Sequence, residues 1–571
     1  MFEELQHSLA KASGLSLEEV QKNLSRPKER QHGDLTFQCF ALAKIWKLNP
    51  AECAKKLAVE VKLPAGIESA TPTGPYLNLR YERLGFTRCM LAEILRKKEQ
   101  VGSAPNNGKV ILVDYSHPNI AKTFHVGHLR TTLIGHSIVQ IFRHLGYTMN
   151  GINHLGDWGT QFGFVWAGCE LWGKPAHPTV EALVDLYRRA TALRKLQEEG
   201  KVSAEDSSKP DVNQMARDYF IRLENKDSDA RAFWQWCLDI SLDYFKAMYD
   251  RLGITFEYYT GESFYEKMIP GVEKSIRESN ILEDSEGALG VNCGKKLGFA
   301  RIFTEDGRSL YITRDIAAAD YRESTFRPDR ILYVVAAQQT LHFQQLKEIL
   351  RRMKRPVAEK IVHIPFGFVP GMKTREAGGI SLKEFLDEAF QNALNAYRTE
   401  VQRRPQGSDE VKIAETVAIG ATYFYFLSHT NNKDFNFSWD MALNFSGASG
   451  PYLQYAYARI FSVEAKANEA GISVDTEFEA SLIREDSAYD LVMLLSDFGE
   501  VVSKAAAEYE PYYIAFYLLD VAKAFSKAYL ELKVIDAERE TAKARLALFR
   551  ATKFVLGTGL RLLGVPCIER M

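Results

Sequence analysis

The sequence contains little cysteine, and no two cysteines stand at the spacing of a zinc-binding pair. Its 571 residues include seven cysteines, an odd number, and none of them forms a Cys-x-x-Cys motif. This pattern argues against both a disulfide framework and a structural zinc cluster, and it suits a reducing compartment.

Long apolar segments are also missing. The most apolar stretch, residues 417–427, is interrupted by Gly420 and Thr422 and is well short of the roughly 18 residues of a membrane helix. The first 14 residues are polar and amphipathic, without the apolar core of a signal peptide. We therefore expect a cytoplasmic protein.

The net charge is close to zero, because the 72 Lys and Arg residues are balanced by 73 Asp and Glu residues. A nucleic-acid partner would therefore have to be held by local basic patches and not by the field of the whole chain. The fractions of charged residues (25%) and hydrophobic residues (46%) are those of a globular protein and exclude a disordered or fibrous one.

Three segments differ in their sequence pattern. Residues 1–105 combine helical periodicity with a short alternating stretch and end in a Pro/Asn/Gly-rich linker, which predicts a small α+β domain. Residues 106–443 alternate β-branched runs with helical segments, which predicts an α/β domain with a doubly wound parallel sheet. Residues 444–571 are helical and predict a bundle, and within 521–571 there are 10 Lys and Arg against 5 Asp and Glu.

Local patterns predict individual elements inside these segments. Ser16 and Glu19 have the spacing of a capping box at a helix start. Pro50 suits the first turn of another helix. Further helices are predicted over 36–48, 49–61, 451–471, 489–508, 512–531 and 540–564, strands over 109–116, 329–338 and 360–369, and an exposed loop or hairpin over 195–214.

A histidine pair is the strongest local signal for catalysis. His125-Val126-Gly127-His128 follows a predicted strand and opens a helix, whose N-terminus offers free N–H groups to phosphates. Gly127 lets a nucleotide approach the backbone closely. His125 and His128 are suited to stabilise the charge that develops during attack on the α-phosphate of ATP. A pair of surface histidines is the alternative that the motif by itself leaves open.

A basic, glycine-bearing loop, residues 372–379, follows the last predicted strand. It carries Met372, Lys373 and Arg375 in the sequence MKTREAGG. Positioned positive charge stabilises a pyrophosphate leaving group, which is the role this loop suggests. A solvated basic turn is the alternative.

Taken together, these stretches resemble the arginyl-tRNA synthetases, a family of class I enzymes. HVGH stands where the family has HIGH, and INHLGDWGTQFG, SLYITRDIAAADYR and RILYVVAAQQ match later active-site segments. HGDLTFQCFALAK and TGPYLNL match the appended N-terminal tRNA-binding domain, and GPYLQYAYARI and LLGVPCIERM match the helical anticodon-binding domain. The resemblance covers essentially the full length. It implies activation of L-arginine with ATP to arginyl-adenylate and transfer to the 3′ terminal adenosine of tRNA, with adenylate formation dependent on bound tRNA.

The resemblance also implies site residues. Since a buried guanidinium needs carboxylate partners, Asp114 and Asp315 are the candidates that chemistry favours. Tyr311 shares a helical face with Asp315 if a helix begins there, although a core aromatic and a helix cap are the alternatives for these two. The implied arginine contacts are Asp114, Asn119, His128, Tyr311, Asp315 and Gln339; the ATP contacts are His125, Gly127, His128, Met372, Lys373 and Arg375; the catalytic residues are His125, His128 and Lys373.

One residue and one loop depart from the family pattern. His117 stands before Pro118-Asn119 where the family usually has Ser or Ala, and MKTREAGG replaces the KMSKS signature. His154, another histidine in this part of the chain, is interpreted as an ordinary loop residue.

Partners follow from the same resemblance. We expect Mg²⁺ to arrive with ATP, held by phosphates and water, with no metal tightly bound by the protein. The chain is expected to be a monomer whose C-terminal basic residues contact tRNA phosphates, although the wet face of an amphipathic helix is the alternative. These residues are Lys543, Arg545, Arg550 and Lys553.

Rival functions fit less well. Missing zinc-ligand cysteines disfavour another class I ligase, and the intact HVGH disfavours a non-catalytic tRNA-binding paralogue. A small nucleotidyltransferase also uses a His-x-Gly-His motif, but it has no need of the helical C-terminal segment.

Overall fold

The computed structural model describes residues 2–27, 29, 32–203, 205–285, 287–305, 310–370, 380–401, 409–473 and 477–570. The chain divides into two compact units, each assembled from three segments. The smaller unit comprises Met1–Lys98, Ser462–Asp497 and Lys523–Val555, and the larger unit comprises Glu99–Phe461, Phe498–Ala522 and Leu556–Met571.

Helices dominate both units. The helices are α1 (Phe2–Ser13), α2 (Leu17–Asn23), α3 (Phe40–Trp46), α4 (Pro50–Glu60), α5 (Arg83–Lys97), α6 (Val126–His144), α7 (Gln161–Trp172), α8 (Val180–Glu198), α9 (Val212–Glu224), α10 (Ser228–Leu252), α11 (Ile269–Glu278), α12 (Tyr311–Phe326), α13 (Thr340–Arg352), α14 (Leu382–Val401), α15 (Glu410–Leu427), α16 (Trp439–Ala442), α17 (Gly450–Glu469), α18 (Asp486–Ser496), α19 (Phe498–Glu508), α20 (Tyr512–Glu531) and α21 (Arg539–Leu563). The strands are β1 (Leu24–Ser25), β2 (Leu35–Gln38), β3 (Ile67–Thr73), β4 (Tyr76–Tyr81), β5 (Val110–Asp114), β6 (Thr148–Asn153), β7 (Tyr258–Tyr259), β8 (Glu283–Ser285), β9 (Ala288–Asn292), β10 (Phe299–Arg301), β11 (Arg330–Ala336) and β12 (Ile361–Phe366).

A four-stranded antiparallel sheet in the order β1-β2-β4-β3 lies in the smaller unit. The predicted capping box is present, since Ser16 accepts from the Glu19 N–H while the Glu19 side chain accepts from the Ser16 N–H. The single helix predicted over 36–48 is wrong at its beginning. Leu35 and Phe37 are buried and pair with β4, so strand pairing prevails there and the helix begins only at Phe40.

Helices from distant parts of the sequence pack together in the smaller unit. In the contact between α5 and α18, Arg83 Nη1 lies 2.8 Å from Asp486 Oδ1, and the Arg83 guanidinium lies 4.7 Å from the Tyr489 ring centre. Phe86 meets the same ring edge-on at 6.2 Å. The packing of α5 therefore includes residues from the C-terminal part of the chain.

A five-stranded parallel sheet forms the centre of the larger unit, in the order β12-β11-β5-β6-β7. β5 pairs with β6 on one side and with β11 on the other, so the connections leave it in both directions. This confirms the predicted doubly wound fold and creates a topological switch point at the carboxyl end of β5. β5 ends at Asp114, before the predicted limit, because Ser116 and His117 adopt positive φ values of 79° and 53°.

The predicted C-terminal helices are present with one difference. The segment expected to be one helix over 489–508 is two, α18 and α19, with the break at Asp497, whose carboxylate pairs with Arg26 in the smaller unit. The predicted loop over 195–214 is shorter than expected, because α8 continues to Glu198 and α9 begins at Val212. Within the described ranges, no helix is both long and apolar enough to cross a membrane.

Candidate active site

A cavity of about 680 Å³ opens at the carboxyl ends of β5, β6 and β11 in the larger unit. Doubly wound folds bind ligands at this edge of the sheet. The structure brings four of the six predicted arginine contacts together in the cavity wall, namely Asp114, Tyr311, Asp315 and Gln339. Gln339 lies in a 3-10 turn that follows β11, and the strand itself stops at Ala336, two residues before its predicted end.

Asp114, the last residue of β5, is almost fully buried and has a partner on each oxygen. Its Oδ2 lies 2.7 Å from Nη1 of the buried Arg322, and its Oδ1 lies 2.7 Å from Nε2 of His117. Burial by itself would raise the pKa of Asp114, but Arg322 and His117 hold this pKa well below its usual range. Asp114 is therefore an ionised carboxylate fixed in the wall.

Tyr311 and Asp315 face the cavity together because α12 begins at Tyr311. The residue that caps α12 is Leu310, so Asp315 is not a helix cap, and Tyr311 is 70% exposed, so it is not a core aromatic. His342 Nε2 lies 2.8 Å from Asp315 Oδ2, and this hydrogen bond raises the pKa of His342.

Glu262 also lines the cavity, and the sequence interpretation missed it. Its Oε2 is buried without a hydrogen-bond partner in the described part of the chain, and Arg314 Nη1 lies 3.6 Å away. Burial raises the pKa of Glu262 to about 7, although Arg314 acts in the opposite direction. Its position shortly after β7 could have identified Glu262 as a residue at the carboxyl edge of the sheet. However, β7 has only two residues, which is too short to be recognised as a strand from the sequence.

His154 follows β6 directly and lines the same cavity, so it is more than the ordinary loop histidine that the sequence suggested. Its Nδ1 is buried and has no hydrogen-bond partner among the described residues. The ring stacks on Tyr265 at 5.7 Å between centres. Burial lowers the pKa of His154 to about 4, so the ring is neutral at physiological pH.

The HVGH histidines lie at the N-terminus of α6 and do not line the cavity. His125 is the N-cap residue, and its Nδ1 accepts a hydrogen bond from the Gly127 N–H at 3.1 Å. Because Nδ1 is an acceptor, Nε2 carries the proton of the neutral ring. The His125 and His128 ring centres are 4.0 Å apart, and burial lowers the pKa of both. Both rings are half-buried, which does not fit a freely exposed surface pair.

Asn119 is held beside the loop that follows β6. The Ile120 N–H donates to Gly156 O at 3.1 Å, and the Gly156 N–H donates to Pro118 O at 3.0 Å. A Cβ atom at position 156 would lie 2.2 Å from Asn119 Oδ1, so a larger residue there would displace the Asn119 amide. Asn119 does not line the cavity.

Arg130, two residues after His128, joins the backbone that follows β12 to the backbone that follows α15. Its buried guanidinium donates to the carbonyl oxygens of Gly367 at 2.6 Å, Asn431 at 2.7 Å and Lys433 at 2.7 Å. The bond to Gly367 holds the chain shortly before residue 371, the first residue of a stretch outside the described ranges. Met372, Lys373 and Arg375 lie outside the described residues, so their roles stay predictions.

The four basic residues predicted to contact tRNA lie on α21, in the smaller unit. Each forms an ion pair: Lys543 with Glu540, Arg545 with Glu485, and Arg550 and Lys553 with Glu464. The Arg545 and Lys553 side chains are only 16% and 12% exposed. A phosphate contact at these two positions would require an existing pair to open, whereas Lys543 pairs only along its own helix.

Among the described residues, no group of three or more His, Cys, Asp or Glu side chains is arranged to hold a metal ion.

Family models match nearly the whole chain. Residues 90–439 match the class I (R) tRNA synthetase catalytic domain, residues 453–571 match the DALR anticodon binding domain, and residues 2–81 match the arginyl tRNA synthetase N-terminal domain.

Similar proteins point the same way. The chain is 37% identical to arginine–tRNA ligase of Halothermothrix orenii, over 98% of this chain and 97% of that one. It is 34% identical to a probable cytoplasmic arginine–tRNA ligase of Dictyostelium discoideum, over 100% of both chains. In fold, it is similar to arginyl-tRNA synthetase of Thermus thermophilus, with a TM-score of 0.83 at 23% identity and 100% coverage of both chains. The chain therefore belongs to the arginyl-tRNA synthetase family of class I enzymes, which activate arginine with ATP and attach it to tRNA.

Proposed function

We propose that the cavity at the carboxyl ends of β5, β6 and β11 is the site where this arginine–tRNA ligase binds its amino acid. The observation that carries the proposal is the pair of carboxylates, Asp315 and Glu262, in one cavity wall. A guanidinium is a planar, permanently charged group that pairs best with carboxylates. An amino acid without this charge would leave a carboxylate in the cavity unpaired, which is a strong basis for rejection.

Adenylate formation takes place beside the N-terminus of α6 in this proposal. The arginine carboxylate attacks the α-phosphate of ATP, forming a bond to phosphorus while the bond to the bridging oxygen breaks and pyrophosphate leaves. His125 and His128 donate N–H hydrogen bonds to the charge that develops on the phosphate. Their pKa values are lowered by burial, so both rings are neutral donors near pH 7. Lys373 and Arg375 remain our candidates for stabilising pyrophosphate.

Transfer follows from the adenylate. A hydroxyl of the 3′ terminal adenosine of tRNA attacks the acyl carbonyl, and AMP leaves. The match of residues 453–571 to the DALR anticodon binding domain supports contact between this segment and the anticodon.

We propose that Mg²⁺ arrives with ATP, coordinated by phosphates and water. We also propose a monomer of the cytoplasm, a location that the name of the Dictyostelium relative supports.

ATP–pyrophosphate exchange tests the proposal. Exchange would be measured with each of the twenty amino acids, in the presence and absence of tRNA. We expect arginine to be the only amino acid that supports exchange, and we expect this exchange only when tRNA is present. Exchange with another amino acid would overturn the assignment of the cavity, and tRNA binding without any exchange would identify a non-catalytic relative.

A further inference from the structure

Tyr249, on α10, is a buried tyrosine whose hydroxyl connects the ends of two neighbouring strands of the parallel sheet. It accepts a hydrogen bond from Nδ2 of Asn153, the last residue of β6, at 2.8 Å. The same hydroxyl oxygen lies 2.7 Å from Oγ of Ser116, in the turn that follows β5. Burial raises the pKa of Tyr249, so its hydroxyl keeps its proton and donates it to Ser116.

Ser116 extends this connection to α6, the helix that carries the HVGH motif. Thr132 Oγ1 lies 2.8 Å from Ser116 Oγ and 2.5 Å from the carbonyl oxygen of His128. An aromatic contact runs in parallel, because the Phe124 ring centre is 5.5 Å from that of Tyr249 and 5.5 Å from that of His128. Tyr249 is therefore connected to His128 by a chain of hydroxyl groups and by ring packing.

The backbone at Ser116 depends on this support. Its φ value of 79° is strained for a residue that is not glycine, and such a conformation persists only where its surroundings hold it. Besides Tyr249 and Thr132, the Thr131 hydroxyl contributes, since it accepts from the Ser116 N–H at 3.3 Å. Neither Ser116 nor Tyr249 is among the described residues of the cavity wall, so any effect of theirs on the reaction is exerted through the position of other groups.

We propose that Tyr249 is a positioning residue that keeps the arginine cavity in register with the HVGH histidines. This inference rests on the proposed function, in which arginine lies at the carboxyl ends of β5, β6 and β11 while the phosphates of ATP lie beside α6. Adenylate formation requires the arginine carboxylate to lie about 3–3.5 Å from the α-phosphorus. The Tyr249 hydroxyl connects both sides of this reaction: Asn153 and Ser116 follow the strands that form the cavity, and Thr132 belongs to α6.

Loss of this hydroxyl should lower the rate of adenylate formation and leave substrate binding almost unchanged. Tyr249→Phe retains the ring and its contact with Phe124 but deletes the bonds to Ser116 and Asn153. Each substrate still meets its own intact site, so we expect the KM values for arginine and ATP to stay within about 2-fold of the native values. We expect kcat to fall about 10- to 100-fold, the range for reacting groups misplaced by up to roughly 1 Å.

Two variants of Thr132 break the same chain at α6. Thr132→Val removes the hydroxyl with little change in shape, whereas Thr132→Ser retains it. We expect Thr132→Val to reproduce the loss in kcat and Thr132→Ser to restore most of it. Because Tyr249→Phe and Thr132→Val interrupt one chain, the double variant should lose clearly less than the product of the two single losses.

Tyr219→Phe is the matched control. Tyr219 is also a buried tyrosine whose hydroxyl bonds to α10, since it donates to Ala230 O at 2.7 Å. Neither Tyr219 nor Ala230 is among the described residues of the cavity wall. The control should lower Tm about as much as Tyr249→Phe does, because each loses one buried tyrosine hydroxyl, but its kcat should stay at the native value.

Arginine-dependent ATP–pyrophosphate exchange with tRNA present measures kcat and both KM values of the full-length proteins, and thermal unfolding measures Tm. A native kcat in Tyr249→Phe would overturn the inference, as would an equal loss of kcat in Tyr219→Phe or a raised arginine KM with kcat unchanged. The Thr132 pair decides the question by itself if Tyr249→Phe does not fold: Thr132→Ser as slow as Thr132→Val would also overturn it. Failure of the native chain to support exchange with arginine is a separate result, which would overturn the proposed function itself.

Discussion

Asp315 Oδ2 and His342 Nε2 lie 2.8 Å apart and join helices α12 and α13 across the wall of the proposed arginine site. The contact leaves Asp315 Oδ1 available to a ligand, and it fixes the rotamer of a side chain that is still 31% exposed. A carboxylate that is both oriented and accessible is what a guanidinium site requires.

Replacement of Asp315 by asparagine should weaken arginine binding selectively. Loss of a hydrogen bond to a charged group costs about 1.5–3 kcal/mol, which corresponds to a roughly 10- to 150-fold higher arginine KM. The ATP KM should change little. Pyrophosphate exchange measures both constants. Asp320→Asn is the matched control, since Asp320 lies on the same helix and faces Arg355 at 3.4 Å; an equal effect in the control would remove the special role of Asp315.

Glu262 should give arginine use a pH dependence near neutrality. Because its pKa is raised to about 7, Glu262 is partly protonated at neutral pH and becomes a better guanidinium partner as pH rises. The kcat/KM for arginine, which reports groups of the free enzyme, should therefore increase with pH through about 7. Glu262→Gln should lower kcat/KM and abolish this step. Glu266→Gln, whose parent residue pairs with Arg231 at 3.1 Å, should retain the step; if it did not, another group would be responsible.

The His342–Asp315 contact should stabilise the protein more at low pH. The pKa of His342 is raised above about 6.5, so its contribution is fully present below the pKa of the unfolded chain and is lost as pH rises through the folded-state pKa. The Tm difference between the native chain and His342→Gln should thus be larger at pH 6 than at pH 8.5.

His363 provides a control of opposite sign for that measurement. Burial lowers the pKa of His363, so protonation below about pH 6.5 favours the unfolded chain. The Tm advantage of the native chain over His363→Gln should therefore shrink as pH falls. Parallel pH trends for the two variants would show that Tm follows a general acid effect and not these two side chains.

Lys543 offers the cleanest test of tRNA contact by α21. Its pair with Glu540 is local and worth little, so Lys543→Glu should leave Tm nearly unchanged. If Lys543 contacts a phosphate, the variant should bind tRNA more weakly, and the slope of log K against log salt should fall by about 0.7–0.9. Lys97→Glu, which breaks a similar local pair with Glu93, is the matched charge control. Identical salt slopes for the two variants and the native chain would exclude the contact.

Signals that are local in sequence predicted most of the fold. The capping box at Ser16, the proline in the first turn of α4 and the β-branched run that forms β5 are each determined by a few adjacent residues. Partners that are far apart in sequence were not predictable in this way. Glu262 joins Asp315 only through the fold, and Glu485 pairs with Arg545 across 60 positions. Long-range pairing also explains why 36–38 is a strand despite its helical spacing.

Packing of α5 against α18 has a consequence for the order in which the protein forms during synthesis. Residues 1–98 leave the ribosome first, but Asp486 and Tyr489, which contact Arg83, belong to a segment that begins at Ser462. At about 5–20 residues per second, translation of the intervening chain takes on the order of 20–70 s. During that time the face of α5 that carries Phe86 lacks its Tyr489 partner. This face of α5 is therefore made early but completed late, which departs from the usual N-terminal-first order of domain folding.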